Sequence, residues 1–163
     1  MARSKAWLCL PVTWAAADGA RADCWVMDEK TFVLQDYGQY TLDDFYMCFY
    51  LAVTWLPDET FKHHTPTWQH KRRSDQMKLD LAGPAEDISR QQGVNRNFTG
   101  KGQCAEREVF LVFAHLKGPI VVLDLPSCSA TRYAGSGSGP TQYVVRTGGH
   151  FSALAAAPPS AQQ

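Results

Sequence analysis

The chain has 163 residues, 45% apolar and 20% charged, the balance of a globular protein, which excludes disorder of the whole chain. Sixteen Lys and Arg residues offset sixteen Asp and Glu, so no global charge marks nucleic acid or a membrane surface as the partner. No run of about 18 apolar residues occurs, which excludes a transmembrane helix.

Residues 1–22 read as a secretory leader. Arg3 and Lys5 precede an apolar segment over 6–17, and Ala20-Arg21-Ala22 offers a small-x-small cleavage pattern that would leave Asp23 as the new N-terminus. Pro11 and Asp18 fit this pattern poorly. The alternative is an N-terminal strand or helix that turns Leu8, Leu10, Val12 and Trp14 toward a core. The domain organisation that follows is a leader over 1–22, one globular domain over 23–150 and a flexible tail over 151–163.

Five cysteines are present, and Cys9 lies inside the leader. Cys24, Cys48, Cys104 and Cys128 remain, an even set that suits two disulfides in a secreted chain. Each bridge would contribute about 3–4 kcal/mol. The alternative is buried thiols in a reducing compartment. Asn97-Phe98-Thr99 is an N-glycosylation sequon in a polar, Gly-rich stretch, so Asn97 is the candidate attachment site.

Residues 24–34 pattern as a β-hairpin, with the turn near Asp28-Glu29-Lys30. Residues 41–56 pattern as a helix. Thr41 supplies an N-cap, Asp43 and Asp44 suit the first turn, and Pro57 stops the helix. Leu42, Phe45, Tyr46, Phe49, Val53 and Leu56 recur at helical spacing, but the opposite face is also apolar. Such a helix is buried on every side or meets a partner. Phe45, Phe49, Tyr50 and Trp55 are therefore the candidate interaction surface or ligand cavity.

Residues 58–102 read as a long irregular segment, with a short strand at Met77–Leu81. Two continuous apolar runs, 109–114 and 120–123, pattern as a hairpin with both faces covered. Residues 135–140 (GSGSGP) read as a flexible linker, followed by a strand over 141–146. The fold class that results is α+β, a mainly antiparallel sheet with one substantial helix. An all-β barrel or sandwich is the alternative.

Chemistry concentrates in residues 62–73, which hold three of the five histidines and four cations. Lys71, Arg72 and Arg73, with Trp68 as a stacking platform, form a candidate anion-binding patch. His63, His64 and His70 are metal-ligand candidates without a CxxC or HExxH framework, and they also suit a pH-sensitive surface. A solvated basic loop is the plainest alternative. Charge is uneven: residues 1–60 carry four cations and nine anions, residues 61–107 nine cations and five anions. That asymmetry fits two halves of one fold attracting each other.

No G-x-S-x-G elbow, phosphate-binding Gly loop or calcium loop is present. Cys128, Asp124 and either His115 or His150 form a triad only if folding brings them together, and a disulfide at Cys128 would exclude it. Three functions follow. The first is a non-enzymatic binding or protein-interaction domain, secreted, with a protein partner foremost and an apolar small ligand second. The second is an accessory subunit of a larger intracellular assembly. The third is a small metal-dependent or Cys/His enzyme. No cofactor is indicated, and nucleic acid is the least favoured partner.

Overall fold

The computed structural model describes residues 10–15, 21–27, 30–35, 42–56, 66–100, 105–125, 127 and 129–156. Seven strands and three helices lie in them: β1 (Leu10–Ala15), β2 (Arg21–Met27), β3 (Lys30–Gln35), α1 (Leu42–Thr54), α2 (Trp68–Gln91), α3 (Arg107–Leu116), β4 (Ile120–Leu125), β5 (Ser129–Tyr133), β6 (Gln142–Thr147) and β7 (His150–Ala156). The fold is α+β with an open sheet in the order β1-β2-β3-β7-β6-β4-β5. All neighbours are antiparallel except β4 and β6, so the sheet is mixed. The barrel or sandwich alternative is set aside.

The N-terminal hairpin forms where expected, closing at Met27↔Lys30. Leu10–Ala15, inside the expected leader, form β1 and pair along β2 from Leu10↔Val26 to Ala15↔Arg21. The sheet also runs past the expected tail boundary, because β7 continues to Ala156 against β3. The boundary at residue 150 is therefore corrected, and 157–163 lie outside the described residues.

Helix α1 answers the question raised by its two apolar faces. Met47 to Val53 are all buried, between β6 and β7 on one side and α2 on the other. The ring of Phe49 lies 5.4 Å from Phe110 and 5.2 Å from Phe151, centroid to centroid. Tilted and edge-on pairs of this kind contribute about 0.5–1.5 kcal/mol each beyond their burial. The expected interaction surface is corrected accordingly: Phe49 and Tyr50 are core. The side chain of Phe45 lies outside the described residues.

The expected loop over 58–102 is instead mostly α2, and the expected strand at Met77–Leu81 is part of that helix. Thr67 caps it, its hydroxyl accepting from the His70 N–H at 3.1 Å. The inner stripe is His70, Ser74, Leu81, Ala82, Ala85 and Ser89, all small or polar except Leu81, and it packs on α1 and α3. Pro84 sits inside the helix on its exposed side.

The expected first strand of the 109–123 hairpin is α3, which packs on β4, β5 and α2. One substantial helix thus becomes three. The second run is a strand, β4, and it is buried on both faces as expected. Ile120 and Val122 face the helices with Phe151, while Val121 and Leu123 lie on the other face with Val145 and Leu154.

Residues 135–140 are not a free linker. From β5 the chain passes beneath the α3–β4 junction to reach β6, and the glycines pack against that junction. Gly137 N–H donates to Ala114 O at 3.0 Å, and Gly139 N–H to Lys117 O at 2.8 Å. A Cβ on Gly137 would stand 2.5 Å from Gly118 N, and one on Gly139 would stand 2.5 Å from Lys117 O. Only glycine admits the crossing without a backbone shift.

Candidate functional site

The β6–β7 hairpin turns through Gly148 and Gly149 and pairs Thr147 with His150. Gly148 has φ 62°, which a glycine adopts without strain. The tight turn brings the start of β7 against α1, where Cys48 is 2% exposed. The Cys48 thiol donates to Gly149 O at 3.6 Å, and Phe151 N–H donates to Cys48 Sγ at 3.4 Å. The sulfur is therefore held by the peptide groups on both sides of His150. The backbone on either side of His150, 102 positions along the chain, thus closes on Cys48 at one end of the sheet.

That end is where the parallel strands β4 and β6 finish, the edge at which open sheets with parallel strands commonly place ligands. A charged cluster lies beside it. Arg146 donates from Nε to Asp124 Oδ1 at 2.8 Å and from Nη2 to Asp124 Oδ2 at 3.1 Å. Its Nη1 stands 3.5 Å from Glu106 Oε1. The guanidinium lies over the rings of Phe110 and Phe151. The Asp124 bonds push Arg146 above its ordinary pKa. Burial likewise raises the Tyr133 phenol, next to Phe110.

The structure thus rearranges the expected triad. Asp124 is committed to Arg146. His115 lies at the opposite end of the sheet, hydrogen-bonded to Ser136 on the glycine crossing. Cys128 lies outside the described residues, and Cys48 lies against the backbone that flanks His150. Cys48 stands as a buried thiol, so the two-disulfide scheme that engages it is corrected. Cys104 and the side chain of Cys24 lie outside the described residues. Sequence spacing holds no hint that Cys48 meets the backbone of the β6–β7 turn, since the packing of α1 on β7 creates that contact.

The other candidates are dispersed. His70 is fully buried, its Nε2 bonded to Leu51 O at 2.7 Å, which is a core role rather than a metal ligand's. His63 and His64 lie outside the described residues. Among the described residues, no group of three or more His, Cys, Asp or Glu could hold a metal ion. Lys71 faces Asp75, and Arg73 donates from Nη2 to Thr54 O at 3.0 Å. Arg72 lies over the Trp68 ring at 5.6 Å. Trp55 is partly buried and borders a groove of about 390 Å³ with Leu56, Met77, Asp80, Lys117 and Gln142. Asn97 is exposed in a loop, as expected, and its Oδ1 accepts from Gly100 N–H at 3.0 Å. No helix among the described residues is long and apolar enough to cross a membrane.

No protein-family model matches the chain, and no curated protein matches it.

Proposed function

We propose that this chain is a cysteine-dependent acyl-transfer enzyme, with Cys48 as nucleophile and His150 as general base. The observation that carries the reading is the seat of the Cys48 sulfur between Gly149 O and Phe151 N–H, the peptide groups flanking His150. A thiol needs a base at hand to attack a carbonyl as thiolate, and imidazole is the usual partner. That attack breaks the substrate's acyl bond and expels its alcohol or amine, protonated by the imidazolium of His150. It leaves a thioester on Cys48 that water hydrolyses to the carboxylic acid and the free thiol. Strand alternation turns His150 to the side opposite Phe151, so the imidazole must come round the first residue of β7. Movement of the hairpin tip at Gly148 and Gly149 would have to bring the imidazole round, and the same movement would uncover the sulfur. Of the aromatics named for an interaction surface, Phe49 and Tyr50 lie in the core and Trp55 is partly buried.

Alkylation of folded protein by iodoacetamide, mapped by peptide mass, tests the proposal. An unassisted thiol is only a few per cent thiolate at pH 7. Cys48 should alkylate from the folded state, and His150→Ala should slow it on the order of tenfold at a temperature well below the melting transition of both proteins. A Cys48 that reacts only as fast as the protein unfolds, or equally fast in His150→Ala, overturns the reading.

A further inference from the structure

The first turns of α2 carry the patch that the proposed thiol chemistry does not use. Trp68, Arg72 and Gln76 follow one another at four-residue steps and form a row along one face. With Gln69 and Arg73 they line an open groove of about 420 Å³. Trp68 is 64% exposed, a large ring left in water. The three consecutive cations differ in their commitments. Arg73 holds the Thr54 carbonyl, and Lys71 faces Asp75 at 3.7 Å with both side chains about half exposed. Arg72 is exposed, and its contact is the ring of Trp68 rather than a carboxylate. The first turn contains no acidic residue to offset this charge.

A flat aromatic surface beside an uncommitted guanidinium complements a ligand that is itself flat and anionic. A carboxylate alone would satisfy Arg72 but leave the ring in water. A neutral aromatic would cover the ring but leave the cation unused. We propose that this groove binds a nucleotide unit, the base on Trp68 and the phosphate on Arg72, with Lys71 available to a neighbouring phosphate. The groove is of a size that holds one such unit. The unit comes either from a free nucleotide or from an unpaired stretch of single-stranded nucleic acid. The zero net charge of the chain does not weigh against this, because recognition of one unit depends on local charge.

The test uses the full chain and three probes: a fluorescein-labelled twelve-residue oligothymidylate, thymidine monophosphate, and inorganic polyphosphate of matched charge. Anisotropy should rise on adding protein to the oligonucleotide at low salt. Trp68→Ala and Arg72→Gln should each weaken binding about tenfold or more, by loss of stacking and of the charge contact. Both side chains are exposed, so melting temperatures should match the parent. Competition by the monophosphate at comparable affinity identifies a free nucleotide as the source, and binding of the oligonucleotide alone identifies a single strand. Three results overturn the proposal: no binding at 50 mM salt (about a 14 Å Debye length), polyphosphate competing equally with Trp68→Ala unaffected, or displacement by polyglutamate, which points to an acidic protein segment.

Discussion

Glu86 shows how one side chain shapes a loop. Its Oε2 accepts from Phe98 N–H at 2.7 Å, Thr99 N–H at 2.7 Å and the Thr99 hydroxyl at 2.8 Å. These bonds fasten the sequon loop to α2 and hold Phe98 in the core at 1% exposure. The Thr99 N–H first, then the Thr99 hydroxyl and the Phe98 N–H, keep the Glu86 carboxyl below its ordinary pKa. A lowered folded value means that ionised Glu86 stabilises the fold fully above the ordinary glutamate value of about 4.3. That contribution is lost as pH falls through the folded value. Glu86→Gln should cost about 1 kcal/mol at pH 7, after allowing for the partial exposure of the site. The cost should shrink toward zero at pH 3, and urea titrations at the two pH values measure the difference. An equal loss at both would assign the effect to shape rather than charge. Exposure of Asn97 was legible from its polar surroundings. The Glu86 clamp was not, because its partners lie 12 and 13 positions away and no local rule links a helical glutamate to a later loop.

Elements are illegible in the sequence where composition runs against periodicity. In α3, Val109 to Ala114 forms an unbroken apolar run of six residues, and such a run patterns equally as a buried strand or a buried helix. Burial settles it as a helix, because sheet, α2 and the glycine crossing surround it. In α2 the inner stripe is polar or small apart from Leu81, so hydropathy gives a weak amphipathic signal, and Gly83-Pro84 suggests a break. The legible signs were the Thr67 cap and the four-residue spacings Lys71–Asp75 and Gln76–Asp80. The hairpin over residues 24–34, by contrast, was legible because β-branched and aromatic runs flank a polar turn. The residues 135–140 misled for a different reason. Glycine and serine compose flexible linkers, but they also compose the tightest backbone crossings. Gly137→Ala separates these roles. A linker residue would gain slightly from alanine, through lost freedom of the unfolded chain. Here the new methyl meets backbone atoms of Lys117 and Gly118 inside 3 Å. The variant should lose about 1–3 kcal/mol, read from the shift of its denaturation midpoint. A variant as stable as the parent would show that the crossing yields.

At the scale of the whole molecule, the two described apolar clusters draw on residues 47–154, on either side of β4, β6 and β7. Strand β1 is the edge of the described sheet and pairs with β2. Cleavage after Ala22 would remove β1 and the first two residues of β2. The apolar content of residues 6–17 suits a leader and an edge strand equally, which is why the sequence left both readings open. A chain beginning at Asp23 should keep a cooperative thermal transition, because the described core remains. It should lose the β1–β2 ladder, a few net hydrogen bonds worth about 3 kcal/mol together, or roughly 10 °C in melting temperature. It should also associate at high concentration, because β2 would then present unpaired N–H and C=O groups along a free edge. Light scattering against concentration, beside near-ultraviolet circular dichroism, measures both effects. If the shortened chain shows no cooperative transition, β1 belongs to the folding unit and cleavage at Ala22 is incompatible with this fold. If it folds and stays monomeric at every concentration, the β2 edge is protected without β1, and the strand is dispensable to the sheet.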